Sequence, residues 1–151
     1  MNLGGLNDLY RQLIIDHAQH PHHHGELPAA SQTITLNNPT CGDVIKLAVT
    51  FADDRIEQIA FSGEGCSISQ ASASMMTDLV QGQTRAQAKK EIQVFLEMLM
   101  ENPEATQDDP DELLGDAAVL AAVVKFPARI KCATLAWKAL EQAISEEEAH
   151  E

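Results

Sequence analysis

Residues 6–17 place Leu6, Leu9, Tyr10, Leu13, Ile14 and His17 three and four positions apart, the repeat of an amphipathic helix. Asn7 or Asp8 suits its start, and Pro21 and Gly25 mark its exit into a loop over 22–28. The period then drops to two. Residues 31–36 alternate around Ile34 and Leu36. Residues 44–51 set Val44, Lys46, Ala48 and Thr50 against Ile45, Leu47, Val49 and Phe51, and residues 55–61 carry Ile56, Ile59 and Phe61. The links between these strands, 37–43 and Ala52-Asp53-Asp54, are short and made of turn residues, which predicts an antiparallel meander. After Ser62-Gly63-Glu64-Gly65 the helical period returns. Residues 66–80 form a helix rich in small side chains that ends at Gly82. Thr84 followed by Gln87 is a capping box that opens a helix over 85–100. Residues 101–111 are acidic, contain Pro103 and Pro110, and read as a loop. Residues 113–126 predict a helix with Gly115 as its weak point, and Pro127 suits the first turn of another helix carrying Ile130, Cys132, Leu135, Ala136, Ala139 and Leu140. Residues 145–151 read as a frayed acidic tail. Strands first and helices after predict an α+β fold: a three-stranded antiparallel sheet packed against about five helices, in a single domain over 1–151.

Composition adds limits. The chain has 151 residues, 44% apolar and only 4% aromatic, so the core is expected to rest on Leu, Ile, Val, Ala and Met. The acids outnumber the bases, 23 to 10, for a net charge of −13. Phosphate binding depends on clustered Lys and Arg, so nucleic acid and an anionic membrane surface are poor partners; a basic protein is a better one. No apolar run approaches the ~18 residues of a spanning helix, and residues 1–10 show neither a charged nor an apolar signal region. The expectation is a cytoplasmic protein.

Three cysteines, Cys41, Cys66 and Cys132, are too few for a secreted disulfide framework and odd in number. By count alone they could equally be buried core thiols. Their settings argue for more. Cys41 lies in a Pro-Thr-Cys-Gly-Asp turn, where Gly42 can take φ > 0 and let Cys41 and Asp43 face one point. Cys66 opens a helix whose positive end favours thiolate, and Arg129, one turn before Cys132, favours thiolate there. Three thiolates and the Asp43 carboxylate make a tetrahedral donor set suited to Zn²⁺, with Arg129 offsetting part of the negative charge. A structural zinc is the alternative; the Asp ligand and the Cys41 turn favour a centre that exchanges a ligand.

At these positions the chain resembles a known family. Asn38-Pro39-Thr40-Cys41-Gly42-Asp43, Gly63-Glu64-Gly65-Cys66-Ser67-Ile68-Ser69 and Arg129-Ile130-Lys131-Cys132 are similar to the three cysteine motifs of the IscU/SufU, NifU N-terminal-like iron–sulfur assembly proteins. Leu9-Tyr10, Asp16-His17 and Pro21-His22-His23 extend the likeness to the first helix. Phe126-Pro127-Ala128-Arg129-Ile130-Lys131 lacks the Leu-Pro-Pro-Val-Lys chaperone motif of the scaffold branch, Lys131 stands where scaffolds carry His, and residues 100–116 form an extra segment. All three features resemble the SufU branch.

The resemblance implies Zn²⁺ held by Cys41, Asp43, Cys66 and Cys132. It also implies that Cys41 accepts sulfur from a PLP-dependent cysteine desulfurase of the SufS type and passes it to a downstream Suf scaffold. In that scheme a His of the desulfurase replaces Cys41 on zinc and frees the thiolate. Catalytic roles then fall to Cys41 and Arg129. The alternatives are an iron–sulfur scaffold of the IscU type, in which the same cysteines hold a cluster, and a small zinc-stabilised interaction domain. Five of the six histidines fall within residues 17–24; a solvated helix cap is the expected reading, and the resemblance suggests that they pack near the centre. Met75, Met76, Met98 and Met100 are expected to fill the core.

Overall fold

The computed structural model describes residues 3–40, 42–100 and 110–150. Cys41 and most of the predicted loop over 101–111 lie outside the described residues. The first helix, α1, runs Leu3–Gln19; three strands follow, β1 Gln32–Asn38, β2 Asp43–Ala52 and β3 Arg55–Glu64. They form one antiparallel sheet in the order β1-β2-β3, as the short connections require. Asn38 pairs with Asp43 at one hairpin end and Ala52 with Arg55 at the other, where Asp53 turns the chain with φ +57°. Ile45, Leu47 and Val49 are fully buried on the sheet's inner face while Val44 and Lys46 face out. A register shift at Thr50/Phe51 ends that alternation.

The remaining helices are α2 Ser67–Val80, α3 Arg85–Met100, α4 Pro110–Leu114 and α5 Pro127–Ala149, with a 3-10 helix at Gly115–Lys125 between the last two; α2 and α5 pack on the sheet, and the others pack mainly on helices. This is the expected α+β architecture. α2 is the centre of the molecule. Seven consecutive residues, 71–77, are buried, and most are Ala or Ser, so neighbouring elements approach its backbone on nearly every side. The Thr84 cap forms as predicted, its hydroxyl accepting the Gln87 N–H at 3.1 Å.

Three local expectations are corrected. Residues 113–126 do not form one α-helix: Gly115 adopts φ +56°, which breaks the run into α4 and the 3-10 helix. The acidic 145–151 tail does not fray from 145, because α5 continues to Ala149. Lys89 Nζ holds Glu148 at 2.5 Å, and Gln32 donates to Glu147 at 3.0 Å. The core rests on Ile, Leu, Val, Ala and Met as expected, with Trp137, Phe61 and Phe95 among its largest fully buried side chains. Phe95 and Trp137 stack at 3.9 Å, and the indole N–H donates to Ser72 Oγ at 2.8 Å. Finally, Leu9 stays 68% exposed although its spacing puts it on the apolar face of α1.

Candidate metal centre

The hairpin end of β1 and β2 meets the N-termini of α2 and α5, and each contributes a donor. Asp43, the first residue of β2, is fully buried. Cys66 is the residue immediately before α2, in extended conformation (φ −73°, ψ 171°), rather than the first helical residue. Its carbonyl accepts the Gln70 N–H at 3.0 Å, and its own N–H donates to Asp43 Oδ1 at 3.0 Å. Cys132 lies in the second turn of α5 and is 1% exposed. The Asn38 side-chain amide stands 3.8 Å from its sulfur. One carboxylate oxygen of Asp43 and the sulfurs of Cys66 and Cys132 lie within 4.8 Å of one another. Three of the four predicted ligands are thus together. The fourth, Cys41, lies outside the described residues, between Thr40 and Gly42. Gly42 has the expected positive φ, +74°, and its N–H donates to Asn38 O at 2.8 Å, closing the turn.

The backbone around these donors is shaped to bring them close. A Cβ on Gly65 would fall 2.6 Å from both Asp43 Oδ1 and Ser69 Oγ, so any side chain there would push the carboxylate out of place. A Cβ on Gly63 would sit 1.9 Å from Val44 O, at φ +126°. The glycines of Gly-Glu-Gly-Cys therefore let β3 and the Cys66 turn close over Asp43. Two buried oxygens are left over: among the described residues, Asp43 Oδ2 and Ser69 Oγ have no hydrogen-bond partner. Orphaned buried polar atoms are costly and uncommon, and a cation beside the carboxylate would satisfy Oδ2. The set of two sulfurs and one carboxylate oxygen, with a third cysteine next in the turn, fits a tetrahedral zinc ion.

Arg129 is exposed in the first turn of α5, its N–H donating to Phe126 O at 2.7 Å. It lines an open cleft with Ile68, Val123, Lys125, Phe126 and Pro127. Arg129 is thus exposed, in a cleft whose lining includes none of Asp43, Cys66 and Cys132. Phe126, beside it, is 62% exposed.

Two features escaped the sequence. Asn38, 5% exposed, reaches Cys132 across 94 residues of chain, and only the β1–β2 pairing reveals that it turns inward. The histidine segment does not pack at the cysteine centre, and only part of it is a solvated cap: His20 is exposed just beyond α1, whereas His17 is buried in its last turn. His17 is 2% exposed and contacts Ser74 and Asp116, and His22 contacts Ser74 and Asp78. Ser74 and Asp78 lie 8 and 12 residues beyond Cys66, about 12–18 Å along α2.

Residues 9–133 match the family model described as the NifU-like N terminal domain. The chain is 51% identical over 144 residues to an iron–sulfur cluster assembly scaffold protein IscU of Streptococcus pyogenes serotype M1, covering 95% of this chain and 87% of that one. It is 46% identical over 143 residues to the zinc-dependent sulfurtransferase SufU of Bacillus subtilis, covering 95% and 94%. Among solved structures, an iron–sulfur cluster assembly scaffold protein for the SUF system from Fervidobacterium islandicum superposes with a TM-score of 0.78 at 30% identity, covering 88% of this chain and 94% of that one.

Proposed function

Because this chain belongs to the NifU-like N-terminal domain family of iron–sulfur cluster assembly proteins, we propose that within that process it is a zinc-dependent sulfur acceptor. It takes persulfide sulfur from a PLP-dependent cysteine desulfurase of the SufS type and delivers it to a downstream Suf scaffold. The observation that carries this reading is the convergence of Asp43, Cys66 and Cys132 around an unpartnered, buried carboxylate oxygen. One family relative with 46% identity is named a zinc-dependent sulfurtransferase.

Zn²⁺ would be held by Cys41, Asp43, Cys66 and Cys132, and when bound it keeps the thiolates ionised while lowering their reactivity. The chain's own residues then divide the work. Cys66 and Cys132 are fixed by α2 and α5, and Asp43 by the sheet and the Cys66 N–H, so these three stay in place. Cys41 falls in the sequence between the end of β1 and the start of β2, and moving a short link costs less than moving a packed helix. The released Cys41 thiolate attacks the outer sulfur of the partner's cysteine persulfide. A new S–S bond forms on Cys41, the donor's S–S bond breaks, and its cysteine leaves as thiolate, with no external oxidant required. Arg129 and Lys125 line one exposed cleft at the start of α5, where their positive charge would help draw in the persulfide anion, and the exposed Phe126 offers an apolar contact for the partner.

A second reading is kept because the relative at 51% identity is named a cluster scaffold. Lys131 is exposed on α5 and takes the place of the scaffold histidine, which weighs against that reading. Desulfurase turnover with and without the chain decides between the two, together with the metal content of the cysteine centre. The expected result is faster turnover, zinc without iron or sulfide, and loss of the stimulation in Cys41→Ala. Full stimulation by Cys41→Ala overturns the acceptor role, and a brown iron- and sulfide-containing protein supports the scaffold.

A further inference from the structure

Three imidazoles and a carboxylate gather on the flank of α2, away from the cysteines. His17 ends α1 and is buried; His22 and His23 follow in the next loop; Asp78 is on α2. One nitrogen from each of His17 and His22 and one oxygen of Asp78 lie within 4.8 Å of one another. The His17 and His22 rings are 4.6 Å apart. His22 Nδ1 contacts Asp78 Oδ2, and His23 Nε2 stands 3.2 Å from Asp78 Oδ1. His17 Nδ1 is 2.8 Å from Ser74 Oγ, and its Nε2 is 3.3 Å from Asp116 Oδ2.

We propose that His17, His22 and Asp78 form a second cation site, separate from the cysteine centre, for a divalent first-row transition ion such as Zn²⁺ or Fe²⁺. Imidazole donors select such ions over Mg²⁺ and Ca²⁺, and two histidines with one carboxylate leave coordination positions open.

Two further observations support the assignment. The loop is pinned before any ion arrives. The His22 N–H donates to Ser74 Oγ at 2.8 Å, the Phe61 N–H donates to His23 O at 3.0 Å, and the Gly25 N–H donates to Phe61 O at 2.8 Å. His23 is held at φ +54°, a left-handed conformation unfavourable for a residue with a Cβ, and such outliers cluster at ligand clamps. Ser74 supplies the outer support that metal-bound imidazoles use, since its hydroxyl can accept the Nδ1–H of His17 and leave Nε2 unprotonated, beside Asp116 Oδ2 at 3.3 Å. The bound ion would fasten α1 and the loop after it to α2, the helix that Cys66 caps.

The test is cobalt(II) titration of the tag-free, metal-depleted full chain under reducing conditions. The expected result is two equivalents: one with thiolate-to-cobalt charge-transfer bands, and one with visible d–d bands alone. His22 and Asp78 are both about half exposed, so the paired substitution His22→Ala with Asp78→Asn leaves the core untouched. That variant should lose the equivalent lacking thiolate bands, with affinity down at least tenfold, and keep the other. Uptake of a single, thiolate-banded equivalent by the wild type overturns the proposal, as does an unchanged thiolate-free equivalent in the paired variant. The thiolate bands report on the cysteine centre independently, so failure of that centre would leave the histidine equivalent visible and the second site supported.

Discussion

The N-terminal end of α2 and its flank at Ser74–Asp78 each collect donors from distant parts of the chain, yet they are built on opposite principles. At the cysteine end the carboxylate is fully buried, its Oδ2 has no partner among the described residues, and the backbone packs too closely at Gly63 and Gly65 to admit a side chain there. At the histidine flank the groups already satisfy one another, through Ser74, Asp116 and the shared Asp78, and His22 and Asp78 reach solvent. A buried donor without a partner is a standing cost that a cation removes, whereas a satisfied donor must first give up a bond. The two sites should therefore differ in affinity and in their contribution to stability: the first is part of the folded structure, and the second is an addition to it.

The largest effect that would test this contrast is metal removal. A ligand present at a thousandfold above its Kd stabilises the native state by about 4 kcal/mol. Zinc in the cysteine centre should therefore raise Tm by on the order of 10 °C in a chain of this size, and a chelator should reverse that shift in a thermal melt. Cation at the histidine flank should move Tm far less, and equal shifts from the two sites would break the contrast. Next in size is Gly65→Ala. Its Cβ meets Asp43 Oδ1 and Ser69 Oγ at 2.6 Å, so overpacking of roughly 1–3 kcal/mol is expected. Zinc affinity at the cysteine centre should fall at least tenfold by competition with a chromophoric chelator. Unchanged affinity would show that the close fit of β3 over Asp43 is not what positions the carboxylate. His17→Ala should cost about 1–2 kcal/mol, because it leaves Ser74 and Asp116 without their imidazole. It should not alter zinc content at the cysteine centre, and a loss of that zinc would mean that the two regions are coupled through α2.

The contrast also explains what was legible in the sequence. The cysteine centre was, because its chemistry sits in short local motifs: Cys41-Gly42-Asp43 in a turn and Gly63-Glu64-Gly65-Cys66 before a helix, where glycine and turn residues announce the backbone shape. The strands were legible for a similar reason: Ile45, Leu47 and Val49 state their own burial by alternation. The histidine flank was not, because its partners, Ser74, Asp78 and Asp116, lie 52 to 99 residues away from the histidines they contact and carry no local signal. A histidine near a helix end looks solvated until the helix packed beside it is known. The same holds for Glu147 and Glu148, whose anchors Gln32 and Lys89 are far away in the chain, whereas Gly115 marked the weak point of its helix in the sequence and the structure breaks there at a positive φ.

The smallest effect comes from a control carboxylate. Glu91 on α3 is 2% exposed and, like Asp43, has one oxygen without a partner among the described residues. No cysteine or histidine joins it in either candidate metal group. Burial pushes its pKa above the ordinary glutamate value, opposed by hydrogen bonds from Gln87 and Gln83. Burial here biases the carboxyl toward keeping its proton, and no sulfur or imidazole stands by to share a cation. A carboxyl whose pKa is raised on folding favours the folded state most at pH below its ordinary value, and that advantage fades as pH rises through the raised one. Glu91→Gln removes the titration while keeping the shape. It should leave Tm nearly unchanged at acidic pH and raise it slightly at neutral pH. It should also leave metal uptake intact. If Glu91→Gln instead destabilised the protein at neutral pH, the ionised carboxylate would be making a favourable contact of its own. An orphaned buried oxygen would then no longer suffice, even beside two cysteines, to mark Asp43 as a ligand.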